Sequence, residues 1–73
     1  MLEEDNRYLV KIGDRVRQLR LAAGISQEEL ALRAEIGFKQ VGRIERGEVN
    51  ATLLTIRSLA VGLGVDEAAL FEK

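Results

Sequence analysis

Residues 26–47 read SQEELALRAEIGFKQVGRIERG, and this stretch decides the fold because two short helices fill it almost completely. The first helix opens at Ser26, and Glu29 follows three residues later with the spacing of a capping box. The second helix covers about residues 38–46, so only residues 35–37 remain to join the two. This spacing predicts a helix pair joined by a tight turn, with the second helix held at the surface.

One helix is predicted before this pair. Residues 1–5 read as a flexible tail, and either Asp5 or Asn6 can cap helix 1. Apolar residues then recur at intervals of three and four, which predicts one buried stripe. The stripe consists of Leu9, Ile12, Val16, Leu19 and Ala23. Gly24 can adopt the left-handed conformation that ends a helix.

Two further helices are predicted after the pair. Asn50 or Thr52 can cap helix 4, Gly64 can end it, and Asp66 can cap a short helix 5. The core stripe of helix 4 consists of Leu53, Ile56, Leu59, Ala60 and Leu63. The sequence has no clean period-two run of the kind that predicts a strand. We therefore predict an all-α fold, a compact domain of five helices over residues 1–73.

The composition argues against several functional classes. The 73 residues include no cysteine and no histidine, so the sequence offers neither a thiolate metal site nor the commonest general base. No apolar run approaches the roughly 20 residues that span a bilayer, and the acidic N-terminus does not resemble a signal segment. We predict a cytoplasmic protein that is not an enzyme and has no cofactor, metal, membrane partner or small-molecule ligand.

The charge is unevenly distributed, although it sums to −1. Residues 7–46 carry nine basic and five acidic side chains, whereas both ends of the chain are acidic. A basic centre favours an anionic partner, with the acidic ends turned away from it. An ordinary uneven surface would give the same count, so the asymmetry alone does not decide between the two interpretations.

The motifs of residues 9–71 resemble the DNA-binding domain of the phage repressor and Cro class of helix-turn-helix regulators. The matching segments include GISQEELA at 24–31, IERG at 44–47 and LGV at 63–65. The resemblance implies a homodimer that binds double-stranded DNA, with helix 3 in the major groove. The stretch NATLLTI at 50–56 and the length of the chain most resemble the controller proteins of restriction–modification systems. That resemblance implies autoregulation, with RNA polymerase as a further candidate partner.

The resemblance also assigns roles to individual residues. Val41 and Ile44 face the core, so the other side of helix 3 is free to meet base edges. The base-reading candidates are Phe38, Lys39, Gln40 and Arg43. Gln27 lies in the first turn of helix 2, where free backbone N–H groups can hold a phosphate. The phosphate-contact candidates are Gln27, Arg46, Asn50, Thr52 and Arg17.

Each of these roles has a structural alternative. Lys39 and Arg43 could form an ordinary solvated helix face, and Phe38 could pack on helix 2 as a partly buried ring. Asn50 or Thr52 could serve as the cap of helix 4, and a cap can also contact phosphate. Inside this motif, we interpret the set as a DNA-reading surface.

Two other sets of residues have predicted structural roles, one within the monomer and one between two copies of the chain. By resemblance, Arg20 and Glu45 form an ion pair that ties helix 1 to helix 3. Leu54 and Val61 fall on a side of helix 4 that the monomer core does not require. The predicted dimer surface consists of Val49, Leu54, Val61, Val65, Leu70 and Phe71. The alternative is that helix 5 simply covers these side chains.

Three residues depart from the family pattern. Glu35 stands where the turn usually has a glycine with positive φ, at a cost on the order of 1 kcal/mol if that conformation is kept. Gly37 stands where Ser or Thr usually caps helix 3. Gly42 lies inside helix 3, where glycine is roughly 1 kcal/mol less favourable than alanine.

Two alternatives to the controller assignment stay open. The chain could be a phage-type repressor or an antitoxin, which would bind DNA with the same surface. It could also be a protein-interaction module that kept the fold without binding DNA. The retained Gln27, Lys39, Arg43 and Arg46 argue against the interaction module.

Overall fold

The computed structural model describes residues 2–72, which form four α-helices and one 3-10 helix. The elements are α1 (Glu3–Ala22), α2 (Gln27–Ala34), α3 (Phe38–Glu45), α4 (Leu53–Leu63) and the 3-10 helix (Glu67–Phe71). No strand occurs within this range. The all-α prediction is confirmed, and the predicted short helix 5 is present after Asp66, but as a 3-10 helix instead of an α-helix. The last element has only five residues, and such short pieces commonly adopt 3-10 geometry.

α1 begins earlier than predicted, at Glu3 rather than near Asp5 or Asn6. The Asp5 carboxylate accepts a hydrogen bond from the backbone N–H of Leu2 at 3.3 Å, so it closes the first turn from within. Acidic side chains in this turn also stabilise the helix, because they lie near the positive end of its dipole. Residues 3–5 therefore belong to α1 instead of the predicted tail, and Met1 lies outside the described residues.

The core forms where α2 packs on α4 and α3 packs on α1. The buried apolar side chains are Ile12, Val16, Leu30, Ala31, Ala34, Val41, Ile44, Ile56, Leu59, Ala60, Leu63 and Leu70. Leu53 was predicted to belong to this core but is 84% exposed at the start of α4. Between Leu2 and Glu72, no helix is long and apolar enough to cross a membrane. This packing leaves one long side of α3 facing solvent.

The turn between α2 and α3 keeps the left-handed geometry, although Glu35 stands where the family usually has glycine. Glu35 has φ 56° and ψ 44°, and its backbone N–H bonds to the carbonyl of Leu32 at 3.3 Å. Ile36 donates to Ala31 at 3.1 Å, which completes the closure of α2. Gly37 then caps α3 in an extended conformation without a side-chain hydrogen bond.

Replacing Glu35 by glycine is therefore expected to raise the free energy of unfolding by about 0.5–1 kcal/mol, because relief of strain outweighs glycine's larger entropy loss. Urea denaturation followed by circular dichroism measures the change. The matched control is Glu28→Gly in the first turn of α2. Glu28 has no backbone strain to relieve, so this variant should lower the free energy of unfolding by up to about 1 kcal/mol. A loss of stability in Glu35→Gly equal to that of the control would contradict this account of the turn.

Candidate nucleic-acid interface

The start of α2 is fixed by Ser26. Its side-chain oxygen accepts a hydrogen bond from the backbone N–H of Glu29 at 3.0 Å, and this places Gln27 at the first helical position. Glu29 does not complete the predicted capping box, since its carboxylate instead accepts from Arg33 Nε at 3.1 Å. Gln27 thus sits at the N-terminal end of α2, beside the exposed side of α3.

Five of the predicted DNA-contact residues line one shallow depression between α2 and α3. The lining consists of Gln27, Phe38, Lys39, Gly42, Arg43 and Arg46. Three of these side chains are cationic, so the depression concentrates positive charge in a part of the surface that α3 presents to solvent. Gln40 is also exposed on α3 but does not line the depression. We call this set of six lining residues the α2–α3 depression.

Gly42 gives the depression its floor. A Cβ atom at this position would lie 3.0 Å from Arg46 Nη1 and 3.6 Å from Gln27 Oε1. The missing side chain therefore makes room for two polar side chains to lie across α3. This gives a local reason for a glycine inside a short helix, where its propensity is unfavourable.

Phe38 lies at an edge of the depression and is about half exposed. Its ring also borders an apolar recess lined by Leu32 and Ile36, which belong to α2 and the turn. The two interpretations made from the sequence are thus compatible in space. One side of the ring can pack towards the turn while the other meets a ligand in the depression.

A buried network holds Gln27 in place. Arg20 Nε donates to Glu45 Oε2 at 2.7 Å and Arg20 Nη2 donates to Oε1 at 3.1 Å, which makes a bidentate ion pair between α1 and α3. Arg20 Nη1 donates to the carbonyl of Ile25 at 2.9 Å. Gln27 Nε2 donates to Glu45 Oε1 at 3.0 Å. The orientation of the Gln27 amide is therefore set by the same carboxylate that joins the helices.

Arg46 is held by a residue that the sequence predictions did not include. Its Nε donates to Glu48 Oε2 at 2.7 Å and its Nη2 donates to Oε1 at 3.3 Å. This hydrogen bond holds the pKa of the Glu48 carboxyl below its ordinary value and raises the pKa of Arg46. The signal in the sequence was Gly47, whose φ of 73° turns the chain so that Glu48 returns to Arg46.

The three other phosphate candidates do not line the depression. Thr52 caps α4, since its Oγ1 accepts from the backbone N–H of Thr55 at 3.1 Å. Asn50 is not the cap and instead borders Tyr8 and Leu9 of α1. Arg17 is exposed on α1. Their contact with DNA stays a prediction.

The predicted dimer residues divide by burial. Leu54, Val61 and Phe71 are exposed, whereas Val49 and Val65 are partly buried against the core. Leu70 is fully buried, so its assignment to a dimer surface is wrong. Arg15 Nε donates to the carbonyl of Ala69 at 2.8 Å, and this bond ties the 3-10 helix to α1 where Leu70 enters the core.

Comparison with known proteins agrees with this geometry. A family model described as helix-turn-helix matches residues 16–70. The control protein C.BamHI of Bacillus amyloliquefaciens is 34% identical over 68 residues, which cover 92% of this chain and 84% of that protein. An uncharacterised HTH-type transcriptional regulator, y4dJ of Sinorhizobium fredii, is 36% identical over 66 residues, covering 90% of this chain and 83% of that protein.

A solved structure is also similar over most of its length. The crystal structure of the restriction-modification controller protein C.AhdI from Aeromonas hydrophila superposes with a TM-score of 0.88 at 43% identity. The match covers 89% of this chain and 98% of that chain. The predicted resemblance to controller proteins is confirmed, and these relatives are named as regulators rather than as enzymes. The chain belongs to the helix-turn-helix family.

Proposed function

We propose that this protein is a sequence-specific, DNA-binding transcriptional regulator. The observation that carries the proposal is the α2–α3 depression, which brings three exposed cationic side chains and the partly buried Gln27 side chain together. Its location on a helix-turn-helix pair matches the geometry by which such pairs place a recognition helix in the major groove. The names of the relatives, which are those of regulators and controller proteins, support the same function.

Base reading is assigned to the exposed side of α3. Lys39 and Arg43 are four residues apart and so share one side of the helix, and both can donate to O6 and N7 of guanine. Phe38 cannot hydrogen-bond, but its ring can lie against a thymine methyl group. Gln40 is exposed on the same helix and could pair with adenine if the groove brings a base near it.

Positioning on the duplex is assigned to Gln27 and the first turn of α2. The backbone N–H groups there and the positive end of the helix dipole favour a phosphate oxygen. The Glu45 carboxylate fixes the Gln27 amide at 3.0 Å, so this contact would need little reorganisation on binding. Phosphate contacts set register and orientation, and base contacts set the sequence.

Arg43→Ala and Gln27→Ala should separate these two roles. Loss of Arg43 is expected to reduce discrimination at one base pair by about 1–3 kcal/mol, whereas loss of Gln27 should weaken specific and random duplexes alike. Titration of each variant with both duplexes by fluorescence anisotropy measures the difference. Equal losses on specific and random DNA for Arg43→Ala would refute its reading role.

We further propose that the protein binds DNA as a homodimer on a two-fold operator. A single α3 reaches only a few base pairs, and helix-turn-helix proteins usually extend the recognised sequence by binding two half-sites as a dimer. Leu53, Leu54, Val61 and Phe71 are exposed apolar side chains from α4 and the 3-10 helix. Burying such side chains between two copies would remove them from water.

Leu54→Glu is expected to shift the protein from dimer to monomer, because it places a charge in an apolar interface. Sedimentation velocity over a dilution series measures the shift. Leu32→Glu is a matched control, since Leu32 on α2 is 74% exposed and Leu54 is 73% exposed. If Leu54→Glu sediments like both the control and the unsubstituted protein, Leu54 is not in the interface.

The similarity to C.BamHI and C.AhdI favours a narrower role, an autoregulatory controller of a restriction–modification operon. Such a protein would act in the cytoplasm on its own promoter, with RNA polymerase as a candidate partner. Selection of bound duplexes from a random pool tests DNA reading without knowledge of the operator, and an inverted repeat is the expected product. Failure to enrich any sequence would point to a protein-interaction module instead.

A titration on the DNA upstream of the gene then tests autoregulation. Tight, salt-dependent binding with a two-fold footprint is expected, and a second cooperative shift would favour the controller role. If the protein binds its selected sequence but not this upstream DNA, autoregulation is wrong. A phage-type repressor or an antitoxin acting elsewhere would then be favoured.

A further inference from the structure

We propose that Glu48 is an internal competitor of DNA phosphate for Arg46 and thereby limits the affinity of the α2–α3 depression for all DNA. The inference rests on the proposed function, since it concerns how strongly the same surface binds DNA. It adds a residue that lies outside the depression and is not expected to touch a base.

The first observation is the geometry of the pair. The Glu48 carboxylate receives two hydrogen bonds from the Arg46 guanidinium, at 2.7 and 3.3 Å. Phosphate oxygens bind guanidinium groups in the same bidentate manner. Glu48 therefore occupies the Nε and Nη2 edge of Arg46, one of the edges that could hold a phosphate bidentately, while Nη1 lies over Gly42.

The second observation is that the backbone fixes Glu48 at this place. Its N–H donates to the carbonyl of Arg43 at 2.9 Å, and Gly47 N–H donates to Ile44 at 3.0 Å. Gly47 is pressed against α1, since an added Cβ would lie 2.7 Å from Val10 Cα. The backbone of Glu48 is thus anchored at the end of α3, within reach of Arg46.

The third observation is the exposure of the pair. Both side chains are more than half exposed, and exposed ion pairs of this kind are weak. A DNA phosphate can therefore displace Glu48. The displaced carboxylate remains near the duplex as a negative charge. DNA binding therefore loses the Arg46–Glu48 hydrogen bonds and leaves Glu48 to repel the phosphate.

The opposite hypothesis is that Glu48 orients Arg46 for DNA and so strengthens binding. The two hypotheses predict opposite signs for Glu48→Gln, which keeps the shape of the side chain and removes its charge. The control is Glu72→Gln, which makes the same charge change at the residue that pairs with Arg15 at 3.6 Å. Neither Glu72 nor Arg15 lines the α2–α3 depression.

The experiment measures Kd for a labelled random-sequence duplex and for the duplex recovered by selection, each over a range of salt concentrations. Glu48→Gln is expected to tighten both by roughly two- to fivefold at low salt, a change of the size that weak surface ion pairs produce. The slope of log affinity against log salt should steepen by up to about 0.9, because the substituted protein no longer carries a carboxylate that offsets the charge of Arg46 beside the phosphate. Glu72→Gln should change little, because screening removes the effect of a distant charge.

A second pair of variants tests whether the effect acts through Arg46. Arg46→Ala combined with Glu48→Gln should bind DNA as Arg46→Ala does, apart from a small gain from the lost negative charge. Unchanged or weaker binding by Glu48→Gln alone would overturn the inference. If the unsubstituted protein binds neither duplex, the proposed function and this inference both fail, whereas normal binding without tightening removes only the inference.

Discussion

Replacing Gly13 by alanine is expected to lower the free energy of unfolding by about 3 kcal/mol, since the added methyl group overpacks a closed interface. An ideal Cβ at this position would lie 2.1 Å from the carbonyl oxygen of Ile44 and 2.7 Å from that of Glu45. These are backbone atoms of α3, so no side-chain rotation relieves the clash. α1 would have to move away from α3, and the Arg20 bond to Glu45 would lengthen with it.

Urea denaturation of Gly13→Ala measures this loss, and Gly42→Ala is its matched control. Gly42 is also a buried glycine within a helix, but its added Cβ would meet the end of the flexible Arg46 side chain at 3.0 Å. The free energy of unfolding of the control should therefore be unchanged or should rise by up to about 1 kcal/mol, because alanine has the higher helix propensity. Equal stabilities for the two variants would show that α1 and α3 are not as close as the structure places them.

Glu45→Ala is expected to lower the free energy of unfolding by about 3–5 kcal/mol, because it leaves the Arg20 guanidinium buried without its partner. The Arg20 and Glu45 side chains are 10% and 2% exposed, so water cannot replace the lost bonds without rearrangement. The same change frees the Gln27 amide, which should weaken binding to specific and random DNA alike. Thermal and urea denaturation measure the first effect, and duplex titration measures the second.

Two variants control this prediction. Glu29→Ala removes an ion pair whose partners are 50% and 45% exposed, so it should cost no more than about 1 kcal/mol. Arg20→Met combined with Glu45→Leu removes both charges and should recover much of the stability that Glu45→Ala loses. If Glu45→Ala is no less stable than Glu29→Ala, the buried pair does not join α1 to α3 as described.

Much of the fold could be predicted because local chemistry decides it. Ser26 caps α2, Thr52 caps α4 and Gly64 ends α4 in the left-handed conformation, all as their residue types indicated. The start of α1 was misplaced because Asp5 acts from within the first turn instead of capping it from outside. Caps and stops are short-range signals, and a carboxylate near a helix start can serve in either position.

The predictions that failed depended on tertiary packing. Leu70 was assigned to a dimer surface and Leu53 to the core, and their burial is the reverse. The 3-10 helix places Leu70 in the core, and Arg15 holds the adjacent carbonyl of Ala69, a contact between residues far apart in sequence. Periodicity along one helix cannot show such a contact.

The candidate site follows a similar division. Gln27, Lys39, Arg43 and Arg46 were named from the motif, and the structure brings their side chains around one depression. Glu48 was missed because it follows the motif and because its role depends on the turn at Gly47. Its return towards Arg46 is a three-dimensional consequence of a positive φ angle, which the residue type permits but does not require.

The claim that the α2–α3 depression binds DNA is tested most directly by nuclear magnetic resonance. Isotope-labelled protein is titrated with the duplex recovered by selection, and changes in amide chemical shifts are mapped onto the structure. We predict the largest changes at the Gln27 side-chain amide and at the backbone amides of residues 38–46, with small changes on the exposed side of α4. Changes centred on α4 or on the first half of α1, with residues 38–46 unaffected, would contradict the account.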